Sequence, residues 1–257
     1  MDLSKNDISC NDISQNYIEC RKNMLFKNMR VVRQSLKINK FFWISILVSI
    51  IIITQYSSDK SYINSFVTFI LAMLLGWYIH YLSHAYDLLE LYENASNPVI
   101  HLLKSNEYIN TIIRTLIIYT IDFHDKIHHN SEINKSFFNI FWEFFQNTLM
   151  EGGFLILLAN YLDFKIKFKS HIFKFNKAIL LLWGLLYASV HNINYIILGC
   201  DQHVNHHIDP KTNYGIDLLD ILFDTKFDLD NIEYLNHGVI NVLIITLIIV
   251  YFKLLLD

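Results

Sequence analysis

Residues 62–84 read YINSFVTFILAMLLGWYIHYLSH. From Tyr62 to Tyr81 there is no Asp, Glu, Lys or Arg. The run matches the ~20 apolar residues that a helix needs to cross a bilayer core. His80 and His84 close it, four residues apart, so on a helix both imidazoles project from one face. An apolar span ending in two metal-ligand side chains frames the rest of the chain: a membrane anchor whose polar ends carry chemistry.

Working outward, Phe41–Ser57 is a preceding apolar run, separated only by the polar turn Ser57–Ser61. Phe137–Leu162, Ala178–Leu198 and Val239–Leu256 are further runs of membrane length. Thr111–Ile121 (TIIRTLIIYTI) is too short to span and holds Arg114, which suits an interfacial or protein-buried position. Of 257 residues 53% are hydrophobic and 18% charged, against about 25% charged in soluble domains. With 7 Gly and 2 Pro the chain is neither collagen-like nor disordered, and a net charge of -3 gives no field for a nucleic-acid partner. Cys10, Cys20 and Cys200 form no disulfide framework and no thiolate metal site.

The expected fold is all-α: a polytopic membrane protein of about four transmembrane helices in two hairpins, with a His-rich metal-binding helical cap. The C-terminal run Val239–Leu256 either adds a fifth crossing or lies re-entrant. Residues 1–40 read as a basic tail, eight Lys and Arg against four Asp and Glu, and residues 41–257 as one membrane domain. The positive-inside rule puts that tail and the His clusters in the cytoplasm. It also pulls Phe164–Lys177, with five Lys, to the same side, whereas two hairpins place it opposite. A shared face for the His clusters decides for the hairpins; a re-entrant turn at Gly152-Gly153 removes the conflict.

Twelve His are present, and most fall in three groups: His80 and His84 (HYLSH), His124, His128 and His129 (HDKIHH), and His203, His206 and His207 (HVNHH). One HxxxH arises by chance about half the time in such a chain, but two such triples together on the order of once in a thousand. Imidazole is a ligand for Fe, Zn, Cu or Ni. The groups supply eight donors, and His191, placed inside an apolar run where an unpaired imidazole is costly, makes a ninth. One zinc needs three or four ligands, so nine donors favour two metals. In the second group His129 points away from His124 on a straight helix. Either His124 ligates through a local distortion, which we favour, or Asp125 supplies a carboxylate or orients an imidazole. Glu143 and Glu151 read as interhelical polar contacts before metal ligands. His101 and His237 read as solvated surface residues and His171 as part of the basic loop. Phe137, Phe138, Phe141, Trp142, Phe144 and Phe145 read as lipid-facing or packing aromatics before a substrate channel.

HYLSH, HDKIHH and HVNHH, in this order on a multi-span chain, resemble the fatty acid hydroxylase/sterol desaturase superfamily. His203–Thr225 (HVNHHIDPKTNYGIDLLDILFDT) is similar to that family's HxxHH, NYG and D-x-x-FGT run, with Asp224 where Gly is usual. The resemblance covers about Trp77 to Thr225. It implies a His-held pair of Fe ions, with Zn as a possible substitute, and O2 as co-substrate. The implied reaction is hydroxylation or desaturation of a lipid, a fatty acyl chain or a sterol, with Asn213 and Asp220 beside Asp125 as residues supporting the ligands. No haem, flavin or nicotinamide fingerprint is present, so a separate cytochrome b5-type donor or reductase is implied, and an endoplasmic reticulum membrane if the cell is eukaryotic. Other readings are an alkyl-ether lipid desaturase, a divalent-metal transporter and a zinc-only, non-catalytic membrane protein.

Overall fold

The computed structural model describes residues 15–58, 60–130, 136–161, 166–168, 171–197 and 199–256. Apart from one minimal hairpin the described residues are helical. Four long elements form the body: α1 (Gln15–Ile38), α2 (Lys40–Gln55) and α3 (Tyr62–Ala85) in the first half, and the C-terminal helix at Val239–Leu256. Among the described residues three helices are long and apolar enough to cross a membrane, Tyr62–Ala85, Lys177–Ile196 and Leu235–Leu255. A fourth arises if α1 and α2, bent by 73° at Asn39, count as one.

Three short helices follow α3 and form a cap: α4 (Leu88–Asn94), α5 (Pro98–Ser105) and α6 (Glu107–Tyr119). Asp87, Asn97 and Asn106 accept from backbone amides at their N-termini, the capping these residue types favour. Neither α5 nor α6 buries a residue, and both leave apolar side chains such as Leu102, Ile112 and Leu116 outward, so Thr111–Ile121 is not buried in protein. The chain then runs through a π-turn at His124–His128 into α7 (Phe137–Thr148), a second π-turn (Leu149–Gly153) and α8 (Phe154–Tyr161). A three-residue hairpin, β1 (Ile166–Phe168) and β2 (His171–Phe173), lies in the Lys-rich stretch; the His171 side chain is outside the described residues. α9 (Lys177–Ser189) passes into a third π-turn (Val190–Ile197), then α10 (Asp201–Ile208), α11 (Asp217–Phe223), a 3₁₀ turn (Leu235–Gly238) and α12 (Val239–Leu256).

α9 is the central helix, with Ile179, Leu180 and Leu182 wholly buried. Around it α2 contributes Phe42, Ile46, Ile50 and Ile53, α3 Phe69, Ala72 and Met73, and α12 Val242, Ile245 and Ile249. The outward faces of the same helices are also apolar, with Ile44, Leu47, Ile240 and Leu247 all exposed. A helix apolar on both faces needs a nonpolar solvent outside as well as a core inside. Asn176 caps α9, its Oδ1 accepting from the Ala178 amide and its Nδ2 donating to Ser65 Oγ at 2.8 Å, which fixes α3 against α9.

Phe137–Leu162, read as a span, is not among the three. It holds Glu143, Gln146 and Glu151, all buried against protein, which dilute its apolarity. Gly152-Gly153 does not break it: the helix continues through the π-turn, and Gly152 sits so close to α9 that a Cβ would lie 2.2 Å from the Leu180 carbonyl oxygen. The basic segment is also more than a tail. From Gln15 it is a helix whose Val31 and Val32 pack on Ile221 of α11, and Ser35 Oγ donates to the buried Asp217 at 3.1 Å. Residues 1–14 of that segment lie outside the described residues.

Candidate metal centre

Four elements deliver the histidines. The end of α3 carries His80 and His84, and the third π-turn carries His191. α10 presents His203, His206 and His207 from one side. The HDKIHH stretch is resolved by its π-turn, closed by a bond from the His129 amide to the His124 carbonyl at 3.1 Å. That i→i+5 ring is wider than an α-turn. It brings positions four and five residues beyond His124 to the same side, so His124, His128 and His129 all reach the centre. Asp125 is left outside, 43% exposed and 3.3 Å from Lys126. Asp122 locks the turn by accepting from the Leu88 and Leu89 amides at 3.2 and 2.7 Å, tying the chain before His124 to the chain after His84.

The imidazoles form two adjoining nests. In the first, Nε2 atoms make a closed ring: His80 to His124 2.9 Å, His124 to His129 3.2 Å, His129 to His206 3.1 Å and His206 to His80 3.2 Å. His84 joins it, 3.1 Å from His206 Nε2. In the second, His207 Nε2 lies 2.9 Å from His128 Nε2 and 3.0 Å from His203 Nε2. His191 offers a nitrogen within 4.8 Å of those of His128 and His203, and its Nε2 is a buried atom with no hydrogen-bond partner.

The outward nitrogens decide which proton each ring carries. His206 Nδ1 lies 2.6 Å from the Thr212 carbonyl oxygen, and His128 Nδ1 lies 2.9 Å from Glu143 Oε1. His191 Nδ1 is 3.3 Å from that same Oε1, with Asn147 alongside. A carbonyl only accepts, so the His206 Nδ1 donates and its Nε2 carries the lone pair; behind His128 and His191 the Glu143 carboxylate sits at ion-pair distance, and the Asn147 amide lies 3.2 Å from His191 Nδ1. His80 Nδ1 faces the Tyr187 hydroxyl at 3.2 Å. Lone pairs that converge at about 3 Å repel unless a cation lies between them. Nitrogens ~2.0–2.1 Å from one ion stand about 2.9 Å apart at right angles and about 3.4 Å apart in a tetrahedron. The first nest therefore fits an ion with more than four ligands, and the donor chemistry of both fits a first-row transition metal.

Burial, joined by the mutual repulsion of neighbouring histidines, holds His124, His129 and His203 well below the ordinary imidazole range. Burial brings His206 down to about 3. At neutral pH these rings are uncharged and their lone pairs are free to bind metal.

The residues expected to support the ligands divide. Asp220 touches no histidine; it accepts from Trp77 Nε1 at 3.0 Å, the Tyr214 and Gly215 amides and Thr225 Oγ1, and so pins the Asn213–Gly215 loop to α3. Its own burial pushes its carboxyl up to about 6. Asn213 takes a left-handed φ of 53° and bonds the Gln202 carbonyl and the Phe227 amide, shaping the turn that presents the Thr212 carbonyl. Asp224 has φ 59° at the C-terminus of α11, a conformation that favours glycine and that Asp tolerates.

Glu143, read as an interhelical polar contact, makes one from α7 to His191 and also stands behind His128. Its sequence signal was a carboxylate in an apolar run, which called for a partner. Glu151 is the interhelical contact expected, accepting from Trp183 Nε1 at 3.0 Å beside Gly76, where a Cβ would collide with its carboxylate. His101 is exposed as expected. His237 is not a solvated surface residue: it is half-buried and its Nε2 is enclosed without a partner, because the 3₁₀ turn folds it inward ahead of α12. Phe137, Phe138, Phe141 and Phe145 all point outward.

Two cavities flank the nests, and His80 and Tyr187 line both. The more apolar one, of about 50 Å³, is walled by His80, His191, His203 and His206 on one side and by Trp183, Leu186, Val190 and Leu235 on another. The other, also of about 50 Å³, lies among the end of α3, the chain just after α6 and the second half of α7. Comparison with known proteins gave no match: no family model fits the chain, and no curated protein or solved structure is significantly similar to it.

Proposed function

We propose that this chain is an iron-dependent, O2-using membrane oxidoreductase that hydroxylates or desaturates a lipid. The observation that carries the reading is the pair of Nε2 nests, with the His206 tautomer set by the Thr212 carbonyl and the Glu143 carboxylate close behind His128 and His191. On this reading His80, His84, His124, His129 and His206 hold one iron and His128, His191, His203 and His207 the other. When bound, the irons supply activation of O2 and removal of hydrogen from an unactivated C–H bond, with zinc as an inert substitute.

The chain's own residues do the rest. Glu143 and the Thr212 carbonyl orient the rings and raise their basicity. The apolar wall formed by Trp183, Leu186, Val190 and Leu235 excludes water and holds one carbon of the lipid against the His face. Electrons come from a separate cytochrome b5-type donor or reductase. The spans anchor the protein with the nests on the cytoplasmic side, in the endoplasmic reticulum if the cell is eukaryotic.

The test is metal analysis of protein purified from cells grown with iron, together with lipid profiles of cells with and without the gene. About two irons per chain and a lost hydroxylated or unsaturated lipid are expected. One tightly held zinc without iron would overturn the reading in favour of a zinc-only membrane protein. Uptake of divalent metal by liposomes carrying the chain would favour a transporter, although the nests sit at helix ends rather than at mid-span, where transporters bind their cargo.

A further inference from the structure

From Lys22 to Lys40 the chain carries six Lys and Arg and no Asp or Glu. All six side chains are exposed, and none is ion-paired among the described residues. Chemistry at the nests gives this charge nothing to do. On α1 the charge is also sorted. At ~3.6 residues per turn, Leu25, Met29 and Leu36 fall within about 40° of one another, and Lys22, Arg33, Lys37 and Arg30 fill the next ~80°. Leu25, Met29 and Leu36 face outward, as does Phe26 among the cations. The stripe that packs on protein, Asn28, Val31, Val32 and Ser35, lies on the other side of the apolar arc. Around the helix the order is therefore protein, apolar, basic.

The direction of α1 is fixed as well. It meets α2 at 73°, and side chains lock the bend. Asn39 Nδ2 donates to the Glu233 carbonyl at 2.8 Å, and its Oδ1 accepts from the Leu235 amide at 2.7 Å. Asn236 bridges the same bend, donating to the Ile38 carbonyl at 2.8 Å and accepting from the Phe42 amide at 3.0 Å. Past the bend Phe41, Ile44 and Leu47 face outward along α2. A helix with this many cations cannot continue α2 through hydrocarbon, where each would be costly. Held across α2, it lies along the bilayer surface, with its apolar arc toward the acyl chains and its cations at headgroup level.

We infer that the outer face of α1 is a seat for an anionic membrane surface. Leu25, Met29 and Leu36 enter the headgroup boundary, and Lys22, Arg30, Arg33 and Lys37 take the phosphates and carboxylates of anionic lipids. An acidic protein would need the charges alone; the apolar arc beside them, and the outward apolar face of α2 that follows, fit lipid. Because Val31 and Val32 pack on Ile221, the seat also holds α11 beside the headgroups.

This seat does not depend on the chemistry of the nests, and its test needs no turnover. Full-length protein is placed in nanodiscs of phosphatidylcholine mixed with phosphatidylserine. A nitroxide is attached at Met29→Cys or at Gln34→Cys after Cys10, Cys20 and Cys200 are changed to Ser. Dissolved O2 should relax the Met29 label more than a water-soluble nickel chelate does, with the reverse at Gln34. Lipids that stay with the protein on release from the disc are counted by native mass spectrometry. They should be enriched in phosphatidylserine by about tenfold or more, each cation near an anionic surface giving about fivefold. The triple change Arg30→Gln, Arg33→Gln and Lys37→Gln should return the retained lipids to near the bulk ratio with the thermal midpoint unchanged, whereas Arg30→Lys with Arg33→Lys keeps the enrichment. Nickel reaching Met29 as freely as Gln34, or enrichment untouched by the triple change, overturns the seat. Unselective lipid retention, with binding of a purified acidic electron-donor protein that the triple change abolishes, would overturn it in favour of a protein partner.

Discussion

The two His nests are built from the same side chain yet are supported in opposite ways. In the first, the rings rest on neutral groups, the Thr212 carbonyl behind His206 and the Tyr187 hydroxyl behind His80. In the second, one carboxylate, Glu143, stands behind both His128 and His191. A carboxylate behind an imidazole pushes electron density toward the metal, whereas a neutral acceptor mainly fixes its orientation. The two positions are therefore inequivalent: the second nest, with a negative charge behind it, favours the more oxidised or more Lewis-acidic ion. The first holds more donors around one point and takes its selectivity from geometry.

The largest effect expected comes from the shared hub. His206 touches three other rings, so His206→Ala should empty the first nest and abolish lipid oxidation, a loss of more than about 100-fold. Retained product in that variant would remove the first nest from the chemistry. Glu143→Gln tests the asymmetry directly. It should weaken one of two irons by about 10- to 100-fold and leave the other in place; simultaneous loss of both would show that the nests act as one unit. Tyr187→Phe, the neutral counterpart, should weaken the other iron by about fivefold, one hydrogen bond's worth.

Acid probes both nests at once. His206 binds its proton near 3 when folded, against ~6.5 when unfolded. Between those values the unfolded chain therefore carries more protons. Stability from the neutral ring is complete above about pH 6.5 and falls as pH drops toward 3. His124, His129 and His203 act in the same direction. Asp220, raised to about 6, and Glu233, raised to about 7, oppose them, since their folded forms gain a proton first. Four rings outweigh two carboxyls, so the thermal midpoint of metal-free protein should fall from pH 7 to pH 5; a midpoint that rises would show that buried carboxyls dominate. The smallest change is far from the rings. Asp224→Gly relieves a left-handed φ of 59° and should raise stability by about 0.5–1 kcal/mol with metal content unchanged.

The spans around Tyr62, Ala178 and Val239 were legible because apolar composition alone fixes them. The histidine set was legible because eight of the nine candidates fall in three close groups, five of them at helical spacings next to span ends. The sequence left open whether His124 or Asp125 faces the centre, since spacing assumes a straight α-helix and the π-turn lies outside that assumption. It could not assign Glu143 to His128 and His191, 15 residues before it and 48 after, because such pairing depends on how α7 crosses α9. That crossing is set by Gly152 and Gly184, whose backbones approach so closely that a Cβ on Gly184 would stand 2.7 Å from the Thr148 carbonyl oxygen. Asp122 and His237 were missed for a similar reason: each is a lone polar residue that only the fold turns inward.

The π-turn at His124–His128 also changes what counts as the same site. One residue more than an HxxHH spacing would swing every later side chain out of line in a regular helix, yet here a single wide turn absorbs it and the rings still meet. Removing one residue between His124 and His128 should therefore give back a regular helix without dispersing the ligands. What such a centre preserves is direction about an axis. The count of residues along the chain is free to drift by one wherever a turn can open to take it in.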